Sequence, residues 1–180
     1  ELQCGDCMVP VLLDLAAPTL RGDLAQQSTL RVDLALDPQE RAVYDSLRLA
    51  TQTELALRLA AGLDTIEALE LLLRLRQAAC HVALVPGQQA TRSSKLDLLL
   101  EQLTEITGAG HRALVFSQWT SLLDLVEVAL KSADLEFIRL DGRTDDRAGV
   151  VAKFQAADGP PVMLVSLCAG GTGLNLTAAD

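Results

Sequence analysis

Three glycines at 170, 171 and 173 follow an apolar run, Val162 to Val165, near the end of this 180-residue chain. Glycine tolerates φ > 0 and lets a ligand approach the backbone closely. A buried strand that runs into such a loop is where open α/β sheets place phosphate-bearing ligands. The other reading of Gly-Gly-x-Gly is a tight turn after a core strand. Two more polar stretches have similar placement. Val115-Phe-Ser-Gln-Trp119 ends one apolar run, and Leu140-Asp-Gly-Arg-Thr144 ends another. Hydroxyls, amides and backbone N–H groups suit phosphate oxygens without reading base sequence. Each stretch also has a structural reading. Ser117 and Gln118 can cap a helix, Asp141-Gly142 can form a turn, and Trp119 can pack in a core.

The elements that must position these loops follow from periodicity. Arg112–Ser117, Glu136–Leu140 and Pro161–Ser166 read as strands. Thr120–Lys131 and Asp145–Phe154 read as helices between them. Strands separated by helices of this length imply right-handed βαβ units and a parallel sheet. All three polar loops then fall on its carboxyl edge. Ser94 is expected to cap a preceding helix that runs to about Ile106 and ends at Gly108-Ala-Gly110.

The first half differs. Ser28–Leu36 alternates like a half-buried strand. Asp37-Pro38 reads as an N-cap and first-turn proline for a helix to about Ala61. In that helix Val43, Leu47, Ala50 and Leu57 lie near helical spacing. Gly62 interrupts, and Asp64 can cap a second helix to about Cys80, in which Leu69, Leu72, Leu73 and Arg76 fall on helical periods. Residues 86–93 read as a linker. In residues 1–27, Pro10, Pro18 and Gly22 break any long element. The expected parts are a segment with one strand over 1–37, a helical region and linker over 38–93, and an α/β part over 94–180; the resemblance given below makes the first an inter-lobe segment and the last a lobe.

Composition narrows the class. The net charge is −9, which argues against a surface that grips nucleic acid by charge alone, though not against a local basic patch. Abundant Ala, Leu and Arg point to a GC-rich, bacterial source. Cys4-x-x-Cys7 has no second half at zinc spacing. Cys80-His81 could complete a site, but ordinary thiols of a reducing cytoplasm are the simpler reading. No apolar run is long enough to span a bilayer as a helix, and no secretory signal is visible at the N-terminus. The missing initiator Met suggests processing or excision from a longer chain.

The blocks and their order resemble the second RecA-like lobe of Swi/Snf-type ATPases in helicase superfamily two. Arg31-Val-Asp-Leu and Gln39-Glu-Arg-Ala-Val-Tyr-Asp-Ser-Leu-Arg48 look like the family's bridge between lobes. Leu75 to Leu84 is similar to its "LRQ-x-C-x-HP" segment, although no Pro follows His81. Ser94-Lys-Leu matches the opening of the lobe. Leu114-Val-Phe-Ser-Gln118 resembles motif IV. Leu140-Asp-Gly-Arg-Thr144, with Arg147 and Phe154, resembles the next block. Leu164 to Asp180 is close to motif V.

The resemblance implies a RecA-like, P-loop-type α/β lobe preceded by helices, in a parent ATPase that moves along duplex DNA; strand separation is not implied. It implies DNA-backbone contacts at Ser117, Gln118, Arg147, Ser166, Gly170 and Gly171. For Arg147 a salt bridge to Asp145 or Asp146 is the structural alternative. Gly173 and Asn175 match the part of motif V that faces ATP, and Asn175 can instead tie down its own loop. Cys168 stands where the family commonly has Lys, which removes a cation from that edge. No G-x-x-x-x-G-K-[ST] loop occurs in the chain, and motif VI does not appear before Asp180. The Mg²⁺ that accompanies ATP is therefore expected on the family's first lobe. The isolated chain is expected not to hydrolyse ATP, and its sheet edge to invite association. The implied partners are duplex DNA, the first RecA-like lobe and a DNA-bound remodelling target, with no membrane. The implied location is the bacterial cytoplasm, at the nucleoid.

Two other classes remain. One is a small nucleotide-binding α/β protein that uses Gly170–Gly173 with Asp141. The other is a noncatalytic interaction module that presents the leucine-rich helices 39–80.

Overall fold

In a computed structural model the described residues are 11–15, 28–60, 65–88, 90, 93–169 and 176–179. The chain divides into two compact units, one built on residues 33–97 and the other on 98–180 together with 12–32. First in sequence, β1 (Val11–Leu15) and β2 (Ser28–Val32) pair as a two-stranded sheet. The strand expected to reach Leu36 stops at Val32. Leu34 and Leu36 keep the half-buried alternation beyond the ladder, with Asp33, Ala35 and Asp37 exposed.

The first unit is helical. α1 (Pro38–Ala60) begins where Asp37-Pro38 predicted. Asp37 Oδ1 accepts the Gln39 N–H at 2.8 Å, and Glu40 Oε2 accepts the Asp37 N–H at 3.2 Å. This reciprocal capping box satisfies donors that a helix start otherwise leaves unpaired. α2 (Thr65–Cys80) follows; the expected Gly62 interruption and Asp64 cap lie outside the described residues. The line of Leu69, Leu72, Leu73 and Arg76 faces outward. Among its described side chains, those that α2 buries are Leu71 and Ala78. In α1, Val43 and Leu47 are half-buried, whereas Ala50 and Leu57 are exposed.

The segment after α2 turns without proline. His81 Nδ1 accepts the Ala83 N–H at 3.1 Å and starts a 3-10 turn, Val82–Leu84. Burial of His81 holds its imidazole below the ordinary histidine range, against the raising effect of the Glu40 charge. The neutral ring is thus the form that accepts this bond. The region read as a linker, 86–93, follows this turn and closes on a buried Ser93.

α3 (Ser94–Gly108) starts one residue earlier than expected. Ser94 is its first residue, not its cap, and Ser93 O accepts the Asp97 N–H at 2.9 Å. The helix ends at the glycines, and Gly110 has φ +85°, a conformation that side chains with a Cβ rarely adopt.

The second unit alternates strand and helix as the periodicity indicated. β3 (Ala113–Ser117), α4 (Thr120–Ser132), β4 (Phe137–Leu140), α5 (Arg147–Gln155) and β5 (Val162–Ser166) follow in order. The strands are all parallel, in the order β3-β5-β4. Central β5 is buried at every residue, which is why it reads as an unbroken apolar run. Met163 and Val165 pack with Leu140 and Phe154. Val162 and Leu164 alternate to the other face. α4 contacts β3 and β5 and buries Leu123, Val126 and Leu130. Arg112, expected to open β3, lies just before it. Its guanidinium donates to the carbonyls of Phe154 at 2.5 Å and Ala157 at 2.8 Å, which satisfies acceptors at the end of α5.

Candidate nucleic-acid interface

The parallel sheet brings the ends of β3 and β5 side by side. Ser117 and Ser166 are register partners, and Leu140 of β4 pairs with Val165. The loop after β5 is bound to β3 by the Leu167 N–H, which donates to Ser117 O at 2.9 Å. A second bond, from the Ala169 N–H to Ser166 O at 2.8 Å, closes the first turn of that loop. The chain returns to the core at Leu176, which packs against the cluster around Phe154.

Each candidate contact has a definite place. The Ser117 hydroxyl accepts the Trp119 N–H at 3.0 Å and lies 3.1 Å from Trp119 O, to which it donates. It holds a local turn at Trp119, which itself takes the cap position of α4 with no side-chain cap bond, so the capping reading of Ser117 and Gln118 is not met. Gln118 is half-buried beside it. Ser166 is 1% exposed, so its carbonyl, and not an open hydroxyl, engages the loop. Arg147 is exposed at the start of α5. Its Nη1 lies 3.5 Å from Ala169 O, so this cation sits against the loop that follows β5. No salt bridge joins it to Asp145 or Asp146 among the described residues. Asp146 instead caps α5 by accepting the Gly149 N–H at 2.8 Å. A Cβ on Gly149 would come within 2.1 Å of that carboxylate, so any other residue there would make the Asp146 side chain shift. Gly170, Gly171, Gly173 and Asn175 lie outside the described residues.

The exit from β4 is a polar bracket. Asp141 Oδ1 accepts the Arg143 N–H at 2.8 Å, and Oδ2 lies 2.8 Å from Arg139 Nη2. The Asp141 N–H donates to Thr144 Oγ1 at 3.0 Å. Burial works to raise the Asp141 carboxyl, but the Arg143 N–H and the charges of Arg139 and Arg143 hold it below the usual carboxylate range. Arg139 Nη1 also donates to Asp124 at 2.6 Å and Glu127 at 2.7 Å on α4. Burial opposes its charge, yet these carboxylates and Asp141 hold the guanidinium above its ordinary value. Its Nε is buried with no hydrogen-bond partner among the described residues.

Arg139 thus joins α4 to the loop after β4, a role that the sequence reading did not assign. The available signal was one charge inside the apolar strand Phe-Ile-Arg-Leu. Asp141, the partner required by the small nucleotide-binding alternative, is committed to this bracket. Among the described residues no group of three or more His, Cys, Asp or Glu could hold a metal ion. Cys4 and Cys7 lie outside them. No described helix is long and apolar enough to cross a membrane.

Residues 94–180 match the family described as the helicase conserved C-terminal domain. The DNA repair protein RAD5B of Arabidopsis thaliana is 46% identical over 92 residues, which cover 49% of this chain and 7% of that protein. The chromatin-remodeling ATPase INO80 of Emericella nidulans is 46% identical over 92 residues, 50% of this chain and 6% of that protein. The chain therefore spans under a tenth of the length of these relatives. The Sulfolobus solfataricus SWI2/SNF2 ATPase C-terminal domain superposes with a TM-score of 0.66 at 26% identity, covering 80% of this chain and 65% of that one. The ATPase core from the same organism, solved in complex with dsDNA, shares the fold with a TM-score of 0.67 at 24% identity, over 81% of this chain and 32% of that one. Residues 94–180 are thus a helicase conserved C-terminal domain, and the solved structures named here that share its fold are Swi2/Snf2-type ATPases.

Proposed function

We propose that this chain is the second-lobe portion of a DNA-dependent ATPase that moves along duplex DNA, and that the carboxyl edge of its sheet follows the backbone of one strand. The observation that carries this reading is the exposed Arg147 against the Ala169 carbonyl, beside the adjoining ends of β3 and β5. An arginine and a loop of backbone N–H groups bind phosphate without reading sequence. The dsDNA held by the Sulfolobus ATPase core supports the choice of ligand. The net charge of −9 is compatible with a narrow contact strip shared with the first lobe.

ATP would lie between this lobe and the first, with Gly173 and Asn175 on this side. The sequence holds no P-loop, and no acidic cluster among the described residues suits Mg²⁺. No phosphoryl-transfer step runs through this chain alone; its part is to position and to hold DNA. The three-part division at 37 and 93, the first lobe as partner and a DNA-bound protein as target belong to the same proposal. Composition supports a bacterial, cytoplasmic setting; the relatives named above are eukaryotic and archaeal. A second reading, a protein-interaction role for the helical unit, is favoured by the exposed Leu69, Leu72 and Leu73.

The test is ATP hydrolysis by the two-lobed polypeptide, with and without duplex DNA. Gly171→Asp puts a negative charge at the proposed phosphate position and should abolish DNA stimulation. Arg147→Ala should weaken DNA binding and reduce the slope of log affinity against log salt by about 1. Stimulation unchanged in both folded variants would move the DNA path elsewhere. No ATPase activity in the wild type would favour the interaction role.

A further inference from the structure

Glu40 occupies a position that the capping of α1 only partly explains. It is 7% exposed and lies in the first turn of α1. Its carboxylate serves two helices separated by 54 positions in sequence. One is its own, through the Asp37 N–H at 3.2 Å. The other is α3, whose first residue donates its N–H to Glu40 Oε2 at 3.1 Å and its hydroxyl at 2.5 Å. The Asp37 N–H is also shared with Ser94 Oγ at 3.0 Å, which closes the knot.

The chemistry favours a carboxylate here. The start of a helix carries unpaired N–H groups and a partial positive charge, and an anion satisfies both. Two helix starts converge on one Glu side chain. His81 and Lys95 both feel its charge, which in each case opposes the lowering effect of burial. A glutamine would keep one acceptor oxygen but place an NH₂ among donors.

We propose that Glu40 is a positioning residue: it clamps the start of α3, the helix that leads into the lobe, to the start of α1. This rests on the functional reading above, because the clamp matters to turnover only if the start of α3 must be held for the domain it opens to act on DNA.

Two measurements on the two-lobed polypeptide test this inference. The first is amide hydrogen exchange at Asp37 and Ser94. Glu40→Gln should accelerate it about tenfold or more, the scale expected for losing a hydrogen bond to a charged group. Glu40→Asp, which keeps the charge, should accelerate it less. The second is ATP turnover well below the unfolding temperature. DNA-stimulated kcat should fall in Glu40→Gln, with basal kcat and the KM for ATP unchanged and partial rescue in Glu40→Asp. Unaltered exchange would overturn the clamp. Faster exchange with wild-type DNA stimulation would overturn the positioning role alone. An inactive wild type would overturn the functional reading and the positioning role with it. If Glu40→Gln does not fold, Ser94→Ala, which removes the hydroxyl's bonds to Glu40 and to the Asp37 N–H, carries the same comparison, read at the Ser94 amide.

Discussion

α4 and α2 are both leucine-rich helices, and they use their leucines in opposite ways. α4 lies on a sheet and buries Leu123 and Leu130 completely. α2 leaves Leu69 60%, Leu72 49% and Leu73 40% exposed. Helical spacing marks a stripe in each. What differs is the surface that meets it. A parallel sheet offers a broad apolar face to the helix that crosses it. α2 contacts α1 and the 3-10 turn that follows it, and among its described side chains Leu71 and Ala78 are buried. A periodic stripe therefore predicts a helix, but not which of its faces the fold will cover.

This contrast can be broken most forcefully in the lobe. Phe154 is fully buried between α5 and the sheet. Phe154→Ala should cost about 3–5 kcal/mol in chemical denaturation, the range for deleting a core aromatic. A loss under about 1 kcal/mol would mean that the lobe core tolerates voids as the helical unit's surface tolerates leucines.

Next in size is the Arg139 bracket. Arg139→Ala leaves Asp141 buried without its guanidinium and should cost about 3 kcal/mol. The same bracket has a pH signature. The folded-state carboxyl of Asp141 lies below its unfolded value of about 3.9. Its contribution is therefore complete above that pH and is lost as pH falls through the folded value. Asp141→Asn should lower stability at pH 7 and flatten the decline below about pH 4. An acid limb unchanged in the variant would remove Asp141 from the account.

Within α2 the comparison narrows to adjacent residues. Leu71→Ala should cost about 2 kcal/mol, since Leu71 is 6% exposed. Asp146→Ala, which removes the cap of α5, should cost about 1 kcal/mol in thermal or chemical unfolding. Leu72→Gln should change stability by less than about 0.5 kcal/mol. A large loss at Leu72 would show that its stripe is covered in solution.

Much of the lobe was legible before any coordinates. Strands β3, β4 and β5 and helices α4 and α5 lie within a residue or two of their expected bounds, because each is a short run with one clear period. The carboxyl-edge placement of the three loops followed from parallel strands alone. The order β3-β5-β4 did not, since spacing along the chain does not say which strand will be central. The burial of all five residues of β5 is the physical trace of that choice; the apolar run marked the strand as buried but did not say that it is central. Arg139 was hidden because its three carboxylate partners belong to α4 and to its own strand's exit. The Glu40–Ser94 clamp was hidden because its ends are 54 positions apart.

By itself the sequence determined the local elements, the glycine-bearing loop after β5 and the blocks that place residues 94–180 in their family. Those properties depend on residue periods, backbone freedom and short motifs, all of which act over a few positions. Only the tertiary structure decided which leucines are core, which strand is central, and which charged side chains become brackets. Those depend on what two distant segments present to each other, and burial and ion pairing are properties of that meeting.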